Sequence, residues 1–247
     1  MLLFVVTSVV CIMSAASLAT STVLTVKSVT DVEQFLLPKV SDVLGGTLLV
    51  LDIDNTIYQA QKEEGHANSF YEQVNDGIHP EDAYRAWEQA QEHCAVVPVE
   101  EIMAAWIHRQ QTAAVAIIGL TSRDSALADA TIRQLTSIGV DLSATAPVLP
   151  LGASGEDEED AQYDALRRMY ISGVLYASIY KDKGAVLAEF LHHQPMRYHN
   201  VVMVDDLKKN LRSVDDAMHR AQIPFVGAHY PLVATTQHTA AHPNSEL

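Results

Sequence analysis

The chain has 247 residues of which 48% are apolar, enough to bury its own core as one α/β domain with a small insertion, and this excludes a disordered body. Its 31 acidic against 16 basic side chains give a formal charge of −15, and no run of Lys and Arg exceeds two residues. Such a chain repels nucleic acid and anionic lipid unless its charge is segregated, so any phosphate it handles must meet a few placed cations or a metal.

Residues 1–26 carry no charged side chain, and 2–18 are mostly apolar. Small residues follow in SAASLATST, where Ser17 and Ala19 have the spacing of a cleavage site. The pattern predicts export, periplasmic or secreted, with residues 1–20 as a signal peptide. The alternative is a retained membrane anchor over residues 2–19. Cys11 would leave with the signal, so Cys94 would pack alone, without a disulfide.

Thr30 and Glu33 have capping-box spacing and predict a short helix running toward Pro38. GGTLLVLDI predicts a turn and then a strand over 48–53, buried on both faces because its apolar run is unbroken. Residues 59–96 are polar, with aromatic positions at Phe70, Tyr71, Tyr84 and Trp87, and Pro80 suits the first turn of a helix. They predict a small helical cap over 57–97. VPVEEIMAAWIHRQQ predicts an amphipathic helix with Pro98 near its start, and AVAIIGL, 114–120, a second buried strand. DSALADATIRQLTSIG predicts a helix closed by Gly139 at C′.

From 141 to 170 the pattern is weak, and GEDEED predicts a solvated acidic loop within the charged stretch 152–164. GVLYASIY predicts a strand, and Asp182 the N-cap of a helix in DKGAVLAEFLHH. NVVMV predicts a strand ending in Asp205 and Asp206, DLKKNLRSVDDAMHRAQ a helix, and IPFVGAHY a last strand. The main domain is expected over 28–232, with a flexible tail over 233–247.

Buried strands alternating with amphipathic helices predict an α/β, Rossmann-like parallel sheet with helices on both faces. In such sheets functional groups gather beyond the carboxyl ends of the strands. Asp52, Asp54, Thr121, Asp205 and Asp206 all fall there. Carboxylates from two strand ends repel in a low-dielectric cleft and persist together around a hard divalent cation. Mg²⁺ suits a site of few carboxylates completed by waters and a substrate phosphate oxygen. The competing reading makes Asp52 a turn former at a strand end.

DIDNT closing the first strand, Thr121 after the second, Lys183 at a helix start and VDD closing a later strand resemble the four motifs of the haloacid dehalogenase-like (HAD) superfamily, in order and in placement. GLTSRDSALADATIRQLTSIGVDLS, KDKGAVLAEFL and VVMVDDLKKNLRSV resemble the runs of one bacterial subgroup, DUF2608, over roughly residues 45–230. The resemblance implies a HAD-type sheet with a small helical cap and a Mg²⁺-dependent phosphatase. By it, Asp52 is the nucleophile that becomes an aspartyl phosphate, and Asp54 the acid that protonates the leaving oxygen and then the base that activates water. Thr121, with Ser122 as its rival in register, would bind a phosphoryl oxygen. Lys183, favoured over Lys181 by the subgroup's Lys-Gly pairing, would balance charge. The metal set would be Asp52, the backbone carbonyl of Asp54 and Asp205, with Asp206 either a further ligand or just behind the ligands.

Arg123 would either reach a second anionic group of the substrate or form a surface ion pair. Asn210 would tether the acidic loop or face solvent, and Phe70 or Tyr71 would face the substrate. The implied substrate is a small-molecule or protein phosphate ester, with no nucleic acid and no stable membrane partner unless the N-terminal segment is retained. The alternatives are an exported broad-specificity acid phosphatase or phosphotransferase, and a catalytically silent secreted binding protein on the same fold.

Overall fold

A computed structural model describes residues 22–36, 46–150 and 158–233. The signal-peptide or anchor segment, the start of the acidic stretch and the tail from 234 lie outside them. The described chain runs β1 (Thr22–Thr25), α1 (Val29–Asp31) with a π-helical turn Val32–Leu36, β2 (Thr47–Leu51) and β3 (Tyr58–Ala60). Then come α2 (Ala67–Asn75), α3 (Pro80–Gln91), β4 (Val96–Pro98), α4 (Met103–Thr112), β5 (Ala116–Thr121) and α5 (Ala128–Ser137). The chain continues through α6 (Glu158–Met169), β6 (Tyr170–Ile171), β7 (Val174–Tyr176), α7 (Lys183–His192), β8 (Asn200–Asp205), α8 (Lys208–Arg220) and β9 (Phe225–His229).

Seven strands form one sheet in the order β1-β9-β8-β2-β5-β7-β6, and every pairing is parallel except β6 with β7. Central β2 is buried along its whole length, as its unbroken apolar run predicts. Its side chains alternate between two cores. Leu48 and Val50 pack on the side of α6, α7 and α8, against Leu187, Phe190, Val214 and Met218. Leu49 and Leu51 pack on the side of α4 and α5, against Trp106, Ile107 and Leu135. Each such side chain contributes roughly 1.5–3 kcal/mol when fully buried. The α/β class and the covered parallel sheet are as expected.

Several local expectations are corrected. The capping box belongs to Ser28 and Asp31, not to Thr30 and Glu33: the Ser28 side chain caps α1 while Asp31 reaches back to the cap backbone. Pro98 closes β4 rather than opening a helix, and α4 begins at Met103. The segment 57–97 is not helical throughout, because β3 and β4 pair antiparallel at its base. The end of the acidic stretch is helical in α6, and β1 had no counterpart in the sequence reading. Gly139 does stand just past α5 with φ +77, the left-handed turn that ends the helix.

The insertion shares a small core with the main domain. Tyr84 and Trp87 of α3 pack with Leu127 and Ala130 at the start of α5, and Phe70 and Ile179 close over them. The rings of Phe70 and Tyr84 meet edge to face at 5.9 Å. This places an aromatic wall over the carboxyl ends of β2 and β5.

Candidate active site

Asp52 follows the alternation of Leu48 and Val50, so it emerges on the side of the sheet that α7 covers. Its backbone N–H still bonds the carbonyl of Val204 on β8 at 3.0 Å, which fixes it beside that strand's end. Beyond it the chain turns sharply. Asn55 takes a left-handed φ of 61, a conformation asparagine tolerates, and the backbone N–H groups of Thr56, Ile57 and Tyr58 converge on the carbonyl of Ile53.

Lys183 opens α7 directly after the N-cap Asp182, whose side chain accepts from Ala185 N. Its buried Nζ donates to Asp52 Oδ1 at 2.6 Å and to Asp205 Oδ2 at 2.9 Å. Lys181, the rival, is exposed and reaches Met169 Sδ. Asp205 is fully buried at the end of β8, and its Oδ1 also accepts from Leu207 N. Asn210 Nδ2 donates to both of its oxygens, at 3.0 and 3.1 Å, so Asn210 tethers the acidic loop. Asn55 Nδ2 reaches Asp206 Oδ2 at 3.5 Å.

Carboxylate oxygens of Asp52, Asp205 and Asp206 all lie within 4.8 Å of one another. Among the described residues they are the one such group able to hold a metal ion. Burial pushes the Asp52 carboxyl well above its ordinary range, Lys183 pulls it down, and Asp205 and Asp206 push it up again. Burial and then Asp205 push Asp206 up to about 7. Burial opposes the charge on Lys183, but Asp205 and Asp52 outweigh it and hold its pKa above the usual lysine value. Buried carboxylates crowded together repel one another and hold their protons more tightly. Hard oxygen donors from two adjacent strand ends are the donor set a divalent ion such as Mg²⁺ takes. The residues present fit it.

The side chain of Asp54 stands apart from that group. Both its oxygens accept from Arg123, Oδ2 from Nε at 2.8 Å and Oδ1 from Nη2 at 2.7 Å. Asp54 therefore brings no carboxylate to the cluster, and Arg123 forms a buried pair rather than a surface one. Thr121 is the last residue of β5 rather than the first beyond it, and its Oγ1 accepts from Arg123 N at 3.1 Å. Its hydroxyl proton is left to donate elsewhere.

These groups floor one cleft of about 90 Å³, lined also by Ser122, Phe70, Tyr71, Tyr84, Trp87 and Lys209. A water takes roughly 10–15 Å³ by this measure, so the cleft has room for several waters or a phosphoryl group. Asp52, Asp54, Thr121, Lys183 and Asp206 thus line one space, with Asp205 just beneath it holding Lys183. The roles of Arg123, Gln91 and Gln134 were not foreseen. The available signal was an arginine two residues past an apolar strand, where a solvated charge has no reason to sit.

Two chlamydial proteins are similar in sequence. One from Chlamydia pneumoniae is 25% identical over 192 residues, covering 74% of this chain and 68% of its own length. One from Chlamydia muridarum (strain MoPn / Nigg) is 24% identical over 224 residues, covering 86% and 78%. Both are provisionally named outer membrane proteins. Among solved structures, the tungstate-bound class C acid phosphatase from Bacillus anthracis is similar over 88% of this chain and 87% of its own, with 13% identity and a TM-score of 0.43. A second structure of a class C acid phosphatase from that organism has a TM-score of 0.37 at 14% identity, over 82% and 74%. At that distance the likeness says nothing of chemistry. The family described as "Protein of unknown function (DUF2608)" matches residues 25–244, which takes in almost the whole sheet, the insertion and every residue of the cleft, so the chain belongs to the DUF2608 family.

Proposed function

We propose that the chain is a Mg²⁺-dependent phosphomonoester hydrolase working through an aspartyl phosphate on Asp52. The observation that carries this reading is the convergence of Asp52, Asp205 and Asp206 at two adjacent strand ends, with Lys183 bonded to two of them. A divalent cation bound there would neutralise the carboxylates and polarise a phosphoryl oxygen.

Asp52 Oδ1 is anchored by Lys183, whereas Oδ2 is held only by a long 3.3 Å bond from Thr56 Oγ1. Oδ2 is the oxygen we assign to attack phosphorus. The Asp52–phosphorus bond forms as the bond to the leaving oxygen breaks, and a proton carried in on the substrate monoanion passes through Asp54 to that oxygen. Asp54 then takes a proton from the water that attacks phosphorus, releasing inorganic phosphate and restoring Asp52. Thr121 donates its free hydroxyl proton to a phosphoryl oxygen, and Lys183 offsets the charge that gathers on Asp52. Splitting one displacement into two is the gain from the covalent step.

The test is hydrolysis of p-nitrophenyl phosphate by the purified chain with Mg²⁺. Chelation should bring the rate to background and added Mg²⁺ should restore it. Asp52→Asn should abolish turnover while leaving the fold intact. An inert protein that binds Mg²⁺ yet cleaves no sugar, nucleotide, lipid or peptide phosphate would overturn the reading in favour of a binding protein.

No helix among the described residues is long and apolar enough to cross a membrane. The names of the chlamydial relatives support reading the N-terminal segment as an export signal. Fractionation of cells expressing the full chain tests this, with recovery only from the cytosol as the contrary outcome.

A further inference from the structure

The reaction just outlined gives Arg123 no part, yet Arg123 is among the largest fully buried side chains described. Each of its side-chain nitrogens is engaged. Besides the fork onto Asp54, Nη1 donates to Gln134 Oε1 at 2.7 Å and Thr131 Oγ1 at 3.1 Å, and Nη2 donates to Gln91 Oε1 at 2.9 Å. The guanidinium lies 5.3 Å from the ring centre of Trp87 and 5.5 Å from that of Tyr58. Trp87 and Gln91 belong to α3 of the insertion, and Thr131 and Gln134 to α5. One guanidinium thus joins the insertion, α5 and the turn after β2.

Gln91 is fully buried and has its own anchor, donating from Nε2 to the carbonyl of Gly65 at 3.0 Å. Its Oε1 also accepts from Gln134 Nε2 at 3.1 Å. A bidentate arginine fixes the plane of a carboxylate as well as its position, which a single donor cannot do. If α3 lifts, the guanidinium loses Gln91 and the Trp87 face together, and water enters beside the fork.

We infer that Arg123 is a positioning residue whose fork sets the Asp54 carboxylate at the cleft, and that its contacts with Gln91 and Trp87 make this setting depend on the seating of the insertion. The inference rests on the hydrolase reading above and gives Arg123 no contact with phosphorus. It differs from a purely structural bolt in its consequence. A bolt that loosens should slow all substrates alike. A misplaced proton-handling carboxylate slows esters with poor leaving groups most, because a good leaving oxygen departs without a proton.

The experiment compares the purified chain with Arg123→Lys and Gln91→Leu on nitrophenyl, phenyl and alkyl phosphates in Mg²⁺. Proton transfer from a placed acid is worth on the order of 10²–10⁴-fold, so kcat/KM for the alkyl ester should fall on the order of 10²-fold in Arg123→Lys and about tenfold in Gln91→Leu. The nitrophenyl ester should lose much less in both. Equal losses across the series, or none, overturn the inference. Should Arg123→Lys fail to fold, Gln91→Leu decides alone. Should the unaltered chain cleave nothing, the hydrolase reading fails separately, and the crystal structure of Gln91→Leu decides the positioning. A displaced Asp54 beside an unmoved Asp52–Lys183–Asp205 group supports it, and an unmoved Asp54 overturns it.

Discussion

At the scale of single residues, Lys183 separates two carboxylates that have almost no solvent to screen them, with side-chain exposures of 8% at Asp52 and 0% at Asp205. Lys183→Met leaves both without their counter-charge, and breaking a buried pair in this way costs about 3–5 kcal/mol. Denaturant titration in chelator should show a loss of that order, and Mg²⁺ should recover part of it. An equal loss with and without Mg²⁺ would separate Lys183 from the cation site. Asn210 acts through Asp205, and removing a partner that orients a ligand typically weakens metal binding about 10–100-fold. Asn210→Leu should therefore raise the Mg²⁺ concentration needed for half-maximal activity by such a factor, and an unchanged requirement would make the tether irrelevant. Protons compete for the same carboxylates. Asp206, raised to about 7, and Asp52, raised in the same direction, bind protons more tightly in the folded chain than in the unfolded one. The stability they confer is present at low pH and falls as pH climbs from the ordinary carboxylate range to about 7. The rise in melting temperature caused by Mg²⁺ should accordingly grow across that window, and a constant rise would count against the cluster as the binding site.

At the scale of elements, the Lys-Gly pair opening α7 has a packing cause. A Cβ on Gly184 would lie 2.2 Å from the backbone oxygen of Ser213, so α7 and α8 can approach here only over a hydrogen. Ser213 uses that proximity, accepting from Gly184 N and donating to Asp182 Oδ2. Gly184→Ala should force the two helices apart, at the roughly 1–3 kcal/mol typical of overpacking, and carry Lys183 with them. A lowered melting temperature together with a lower kcat is expected, and full activity would show that the approach does not set Lys183. Elements that bury a long apolar run or a clear helical face were legible in the sequence: β2, β5, β8, α5, α7 and α8. Their strand ends announced Asp52, Thr121, Asp205 and Asp206 as neighbours. Short elements were not legible, because β1, β3 and β4 owe their form to the partner strand rather than to their own three or four residues. Thr30 and Glu33 have the spacing of a capping box, but Ser28 takes the cap in the fold, with Val29 and Val32 buried behind it. The union of Asp54 with Arg123 spans 69 residues of chain, a distance over which composition and period carry no information.

At the scale of the whole molecule, charge is distributed against the proposed substrate. The chain carries −15 overall. In and just beneath the cleft four carboxylates, Asp52, Asp54, Asp205 and Asp206, meet three cations, of which Lys183 and Arg123 are already committed to carboxylates and Lys209 lies over the ring of Tyr71. Lys209 alone is left to meet an arriving dianion, and one lysine does not offset the excess of negative charge. By itself, then, the cleft turns phosphate away, and a doubly positive ion is what levels the account. The consequence is an order of events: the ion must load first, the ester second. Product inhibition should follow the same sequence, with inorganic phosphate protecting the protein against thermal unfolding only after magnesium has been supplied.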